Sequence, residues 1–128
     1  MFRNKVLLFF LAGGAALAAL PSLATAQNYP SRPVRLIVPA PPGGTTDRLA
    51  RVVGQRMGEG LRQQMVVDNR GGAGGIVGTE LLARAPADGH TIAVIYTPHT
   101  VLPHLQKKLP YDPIRDFAPL SMLTTAPL

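Results

Sequence analysis

The most informative segment of the sequence for the fold is residues 34–47, which read Val34-Arg35-Leu36-Ile37-Val38-Pro39-Ala40-Pro41-Pro42-Gly43-Gly44-Thr45-Thr46-Asp47. Its first five residues are mostly β-branched or apolar, which is typical of a strand. Proline and glycine at the density that follows stop a strand and build a loop. Thr45 and Thr46 are candidate N-cap residues of a helix, and Asp47 suits its first turn. The stretch therefore predicts strand, loop and helix in direct succession.

The helix continues well past this stretch. Leu49, Val53, Met57 and Leu61 recur every four residues and are predicted to share one helical face. Gly54 interrupts this segment and weakens a helix by up to about 1 kcal/mol relative to Ala. Tertiary packing must therefore support the helix.

The same order then repeats. A second strand is predicted over 65–67, and a second glycine-rich loop over 68–75 begins with Asp68-Asn69-Arg70. A second helix follows over about 76–85, and a third strand over 91–96 is apolar enough to be a central strand covered on both faces. Less regular sequence follows, with a candidate short helix over 101–108. Strands that alternate with helices predict an α/β fold whose sheet is parallel.

The two glycine loops are the candidate ligand site. Each follows a strand and opens a helix, at the sheet edge where ligands bind in parallel α/β proteins. A helix N-terminus offers free N–H donors to a carboxylate or phosphate, and glycine allows close approach of the backbone. Tight turns with no ligand are the plain alternative. The candidate binding residues are Gly43, Gly44, Thr45, Thr46, Asp47, Gly72, Ala73, Gly74, Gly75 and Thr97.

Asp47 has two interpretations. As an acid in the first helical turn, it complements the helix dipole, which is worth about 0.3–1 kcal/mol. As a ligand-binding residue, it would receive an ammonium or amide group, or order a bridging water, because its own charge repels an anion.

Other kinds of site are poorly supported by the sequence. The absence of Cys excludes disulfides and thiolate chemistry. The second loop has G-x-G-x-x-x-G spacing, which is not the dinucleotide fingerprint, and no P-loop motif occurs. Three histidines lack companions at metal-ligand spacing and are expected at the surface or in loops, namely His90, His99 and His104. We predict no catalytic residue, no metal and no cofactor.

The first 26 residues have the layout of a secretory signal peptide. Arg3 and Lys5 precede an apolar run over 6–20, and Ala24-Thr25-Ala26 forms a cleavage site. The run is short for a membrane span, which needs about 20 residues. We expect cleavage between Ala26 and Gln27 and a periplasmic location. The mature chain keeps 11 basic and 7 acidic residues, a net charge of +4 that suits anionic solutes. Its dispersed basic residues and few aromatics do not indicate a nucleic-acid partner.

Several ordered motifs resemble one family, the Bug-type (TctC-like) substrate-binding receptors of tripartite tricarboxylate transporters. They span nearly the whole mature chain and comprise residues 29–44, Asp47 with Ala50 and Arg51, residues 66–70, Gly72–Gly75 with Gly78, residues 86–91, and residues 109–113 with Asp116 and Phe117. One departure is Ala40, where the family usually has an aromatic residue.

This resemblance implies a two-lobed periplasmic binding protein that closes on its ligand. The implied ligands are di- or tricarboxylates, acidic amino acids or aromatic acids, held at the strand-to-helix loops and delivered to membrane permease subunits. Residues 27–128 would form the N-terminal part of the first lobe and end near the crossover to the second. An exported enzyme and an interaction module that use the same anion-binding loops are the alternatives.

Overall fold

The computed structural model describes residues 29–125, so the predicted signal peptide lies outside the described residues. Strands and helices alternate along the chain, which confirms the predicted α/β fold. The elements are β1 (Val34–Val38), α1 (Thr45–Leu61), β2 (Met65–Asn69), α2 (Ile76–Ala83), β3 (Thr91–Ala93) and α3 (Pro98–Leu105).

The three strands form one parallel sheet in the order β2-β1-β3. Val34 of β1 lies opposite Met65 of β2, and Arg35 lies opposite Thr91 of β3. The prediction that the third strand is central is wrong for the described part of the chain, where β3 pairs over three residues and lies at one edge. Apolar composition indicates burial, and burial alone does not fix a strand's place in the sheet.

This strand order determines where the helices lie. The chain moves from β1 to β2 on one side and then returns past β1 to β3. Right-handed crossovers in opposite directions place their helices on opposite faces of the sheet. Accordingly, Gly54 of α1 packs against Leu36, whereas Gly78 of α2 packs against Pro39, which follows β1. The carboxyl ends of β1 and β3 therefore form a topological switch point, where α/β sheets open a crevice.

The face of α1 that packs most deeply differs from the predicted one. Leu49, Val53, Met57 and Leu61 are only half-buried. The buried residues are Asp47, Ala50 and Gly54, which lie on a neighbouring line of the helix. A Cβ on Gly54 would be 3.2 Å from Leu36 Cδ2, so this glycine allows close packing of helix and sheet. Small residues thus mark the contact, which a search for large apolar residues overlooks.

Beyond β3 the chain departs from the predicted boundaries. The predicted helix over 101–108 begins earlier, at Pro98, and ends at Leu105. Among the residues that the structure describes, no helix is both long and apolar enough to cross a membrane.

Candidate functional site

The first glycine loop turns the chain from β1 into α1. Gly44 is the N-cap, and no side chain caps the helix, so the prediction that Thr45 or Thr46 is the cap is wrong. Gly43 adopts φ +84°, a conformation that favours glycine, and its N–H donates to Asp47 Oδ2 at 2.8 Å. This contact resembles the reciprocal half of a capping box, in which an acid of the first turn accepts from a backbone N–H at the entry to the helix.

Asp47 is enclosed by donors and only 3% exposed. Arg51 Nε donates to its Oδ2 at 3.1 Å, Arg51 Nη2 lies 3.1 Å from its Oδ1, and Asn69 Nδ2 donates to Oδ1 at 3.0 Å. The hydrogen bonds from Arg51 and Gly43 lower the pKa of Asp47 to about 2, against the opposing effect of burial. The carboxylate is therefore held in its charged form.

These contacts use the Asp47 carboxylate to position the first loop. Both carboxylate oxygens already accept hydrogen bonds, so little capacity remains for a ligand ammonium. The Asn69 amide also donates to Ala40 O at 3.2 Å, and Arg51 Nη2 donates to Asn69 Oδ1 at 3.2 Å. Asp47, Arg51 and Asn69 thus fix the first loop to α1 and to the end of β2.

The lowered pKa predicts acid-sensitive folding. A carboxyl whose folded-state pKa is below its unfolded value stabilises the fold above the unfolded pKa, and this contribution is lost as the pH falls from about 4 to about 2. In the Asp47→Asn variant, the NH₂ group of the new amide would also face an N–H donor of Arg51 or Asn69. We expect the urea midpoint of the variant to be lower than wild type at pH 6 and to depend less on pH between 4 and 2. Parallel pH profiles for the two proteins would contradict this role.

The second glycine loop lies between β2 and α2. Gly72, Gly74 and Gly75 adopt φ values of +131°, +68° and +98°, and Ala73 adopts +47°. Ala73–Gly75 form a short 3₁₀ turn that leads directly into α2. Three glycines at positive φ in four residues explain why this segment needs its glycine content.

The two loops touch each other and the end of β3. A Cβ on Gly71 would lie 3.2 Å from Pro41 N, and one on Gly75 would lie 3.2 Å from Pro39 O. The Tyr96 hydroxyl donates to Pro39 O at 3.1 Å, which ties the segment after β3 to the first loop. Both loops therefore meet at the carboxyl edge of the sheet, as their place in the sequence predicts. Backbone N–H groups and helix N-termini at one edge can hold an anion by hydrogen bonds.

Thr97 is exposed and precedes α3. Its carbonyl accepts from Thr100 N at 3.1 Å and from Thr100 Oγ1 at 2.8 Å. Thr97 lines an open cleft together with Gly74, whereas the first glycine loop does not line this cleft. Of the predicted ligand residues, Thr97 therefore lies beside Gly74 of the second loop. The first loop contacts the same edge of the sheet through the hydrogen bond from Asn69 Nδ2 to Ala40 O.

The prediction that the histidines lie at the surface or in loops holds for two of them. His104 is exposed, and His90 lies in the loop before β3, although it is only 9% exposed and packs edge-on against Tyr29 beside Asp88. His99 lies in α3 and contacts Tyr111 and Phe117. Within residues 29–125, no group of three or more His, Asp or Glu side chains is placed to hold a metal.

The sequence predicts Asn69 in a loop and indicates no role for Arg51 in the site. Asn69 is instead the last residue of β2, opposite Val38, so its side chain lies beside the first loop. The spacing of Asp47 and Arg51 was a usable signal, since residues four apart lie on one helical face. No comparable signal marks Asn69, because the polar residues at 68–70 are also typical of a loop.

Relatives and solved structures identify the kind of protein. A protein encoded in the tcbD-tcbE intergenic region of Pseudomonas sp. strain P51 is 45% identical over 98% of this chain and 37% of its own length. The structure of the periplasmic binding protein BugD is 42% identical with a TM-score of 0.67, covering 70% of this chain and 30% of BugD. MatC from Rhodopseudomonas palustris with bound malate is 38% identical with a TM-score of 0.68, covering 71% of this chain and 31% of MatC. Rpa4515 from R. palustris with adipate is 41% identical with a TM-score of 0.62, covering 66% of this chain and 29% of Rpa4515.

The described fold is thus part of a parallel-sheet lobe of a periplasmic binding protein. The tripartite tricarboxylate transporter family receptor profile matches residues 49–128. The chain belongs to this receptor family, which confirms the resemblance seen in the sequence. It spans about a third of the length of the relatives that it matches.

Proposed function

We propose that this chain forms the N-terminal part of the first lobe of a periplasmic solute receptor, which captures a small carboxylate and delivers it to a membrane permease. One observation carries the proposal. Two glycine-rich strand-to-helix loops meet at the carboxyl edge of the sheet, and the contacts of Asp47, Arg51 and Asn69 hold the first in place.

The geometry suits binding of an anion. Gly44 and Gly75 precede the first turns of α1 and α2, whose free N–H groups and positive dipole ends favour negative charge. MatC and Rpa4515, which share this fold, were solved with malate and adipate respectively. A carboxylate is therefore the ligand group that the site would hold.

Binding is the first test of the proposal. The protein to use is the full-length gene product, meaning the polypeptide encoded by the complete reading frame. We expect calorimetry to detect saturable binding of at least one member of a panel of carboxylic acids, and mass spectrometry to recover the acid chemically unchanged. Consumption of the acid would favour the exported-enzyme alternative, and binding of no acid by folded protein would contradict the proposal.

Export is the second test. Residues 1–26 form the proposed signal peptide, with Ala24-Thr25-Ala26 as its cleavage site. We expect mass spectrometry of the periplasmic fraction to give Gln27 as the first residue. Recovery of soluble periplasmic protein that retains Met1 would contradict the assignment.

A further inference from the structure

A small cavity lies between the second glycine loop and α3. It offers about 10 Å³ to the centre of a water-sized sphere, and a single buried water needs about 10–15 Å³ by this measure. The cavity is lined by three polar side chains, which belong to Thr79 of α2, Tyr96 after β3 and His99 of α3. Its size and its polar lining therefore suit one water molecule.

One ring nitrogen of His99 is buried and has no donor. His99 Nε2 lies 3.0 Å from Pro113 O, and because a carbonyl oxygen only accepts, Nε2 carries the hydrogen and donates it. In the neutral ring, Nδ1 then keeps a lone pair. Among the residues that the structure describes, none forms a hydrogen bond with Nδ1, although this atom is fully buried. A buried acceptor without a donor is costly, so a donor is expected in the cavity.

The residues around His99 limit what this donor can be. Its ring is stacked on Tyr111 and packs edge-on against Phe117, and its Nδ1 is already enclosed without any further part of a longer receptor. A side chain from elsewhere could reach Nδ1 only through a space that fits one water. Water is therefore the donor that the geometry favours.

Two hydroxyl groups can complete the hydrogen bonding of this water. Thr79 Oγ1 donates to Gly75 O at 2.9 Å. The Tyr96 hydroxyl donates to Pro39 O at 3.1 Å. Each hydroxyl has thus used its only hydrogen and keeps lone pairs that can accept. A water has two hydrogens, so it can donate one to His99 Nδ1 and the other to one of these hydroxyls, and buried waters typically form about two to four hydrogen bonds.

We infer that the cavity holds one structural water, which donates to His99 Nδ1 and to the hydroxyl of Thr79 or Tyr96, and that His99 positions the second glycine loop through this water. The Thr79 hydroxyl is bonded to Gly75 O, and Gly75 leads the loop into α2. The water thereby joins α3 to the loop. The effect on ligand binding rests on the proposed function, whereas the water site does not.

The water can be measured without a ligand. Oxygen-17 relaxation dispersion counts the long-lived internal waters of the full-length gene product. The His99→Phe variant keeps a ring against Tyr111 and Phe117 and removes both ring nitrogens. It is expected to hold one long-lived water fewer than wild type. His104→Phe is the matched control, because His104 is an exposed residue of the same helix and does not line the cavity. The control should keep the wild-type number.

Two further measurements test the positioning role. In wild type labelled with ¹⁵N-histidine, His99 should show the Nε2–H tautomer and an Nδ1 shift typical of a lone pair that accepts a hydrogen bond. The affinity for the carboxylate that wild type binds most tightly should fall about two- to tenfold in His99→Phe, because the loop loses the support of one hydrogen bond. It should not change in His104→Phe.

The outcomes separate the inference from the proposed function. An equal number of long-lived waters in wild type and His99→Phe, or an Nδ1 shift typical of a free lone pair, would overturn the water site. A crystal structure of the full-length wild-type protein in which a side chain donates to His99 Nδ1 would also overturn it. Loss of the water with unchanged carboxylate affinity would overturn the positioning role. If folded wild type held the water but bound no carboxylate, the proposed function would fail and the water site would stand.

Discussion

Replacing Gly78 by Ala should lower the free energy of unfolding by about 1–3 kcal/mol, the usual cost of overpacking. A Cβ at this position would lie 2.7 Å from Arg70 O and 2.9 Å from Pro39 Cα. Both neighbours are backbone atoms, so α2 must move away from the sheet to admit even one methyl group. The movement would displace the second glycine loop, which immediately precedes α2. Urea unfolding monitored by circular dichroism measures this decrease in the free energy of unfolding.

Gly60→Ala is the matched control in the same protein. Gly60 lies in the last turn of α1, and a Cβ there would have nothing within 4 Å. The substitution should therefore stabilise the helix, by up to about 1 kcal/mol. Opposite signs for the two Gly→Ala changes are expected. Equal effects would show that α2 does not pack against Pro39 as described.

Replacing Gly74 by Asp should weaken carboxylate binding by at least a hundredfold, which corresponds to about 2.7 kcal/mol. Asp tolerates the left-handed conformation of Gly74, and its Cβ would make an ordinary contact with Leu102. The new charge would lie beside the ligand carboxylate. Two like charges about 4 Å apart repel each other by about 4 kcal/mol near a protein surface.

Gly74→Asn isolates the charge, because Asn has nearly the same shape as Asp and also tolerates the left-handed conformation. The Asn variant should bind the same acid far more tightly than the Asp variant, and the difference should shrink as salt is added. Equal affinities for the two variants would mean that the second glycine loop is remote from the bound carboxylate.

The order of strands and helices was predictable because proline and glycine mark each boundary. Pro39 to Gly44 and Gly71 to Gly75 end strands and begin helices, and the structure places both loops at one edge of the sheet. The boundaries after β3 were less predictable. The apolar run from Thr91 to Tyr96 suggested a longer and central strand, but strand pairing ends at Ala93.

The contact of Asp47 with Arg51 is predictable from their spacing, whereas its contact with Asn69 is not. Asn69 is 22 residues from Asp47, and the sequence predicts it in a loop. In the structure β2 continues to Asn69, because Asp68 is stabilised in the strand by hydrogen bonds from Arg35 and Arg70. Polar residues near the end of a strand therefore predict a loop. Here the ion pairs of Asp68 with Arg35 and Arg70 allow β2 to continue to Asn69.

Backbone amide shifts will determine whether the two glycine-rich loops hold a carboxylate. The full-length gene product is labelled with ¹⁵N-glycine and titrated with the acid that binds it most tightly. We expect the largest shifts at Gly43, Gly44, Gly72, Gly74 and Gly75. Saturable binding whose largest shifts fall on Gly54, Gly58 and Gly60 of α1, with the loop glycines unchanged, would contradict this expectation.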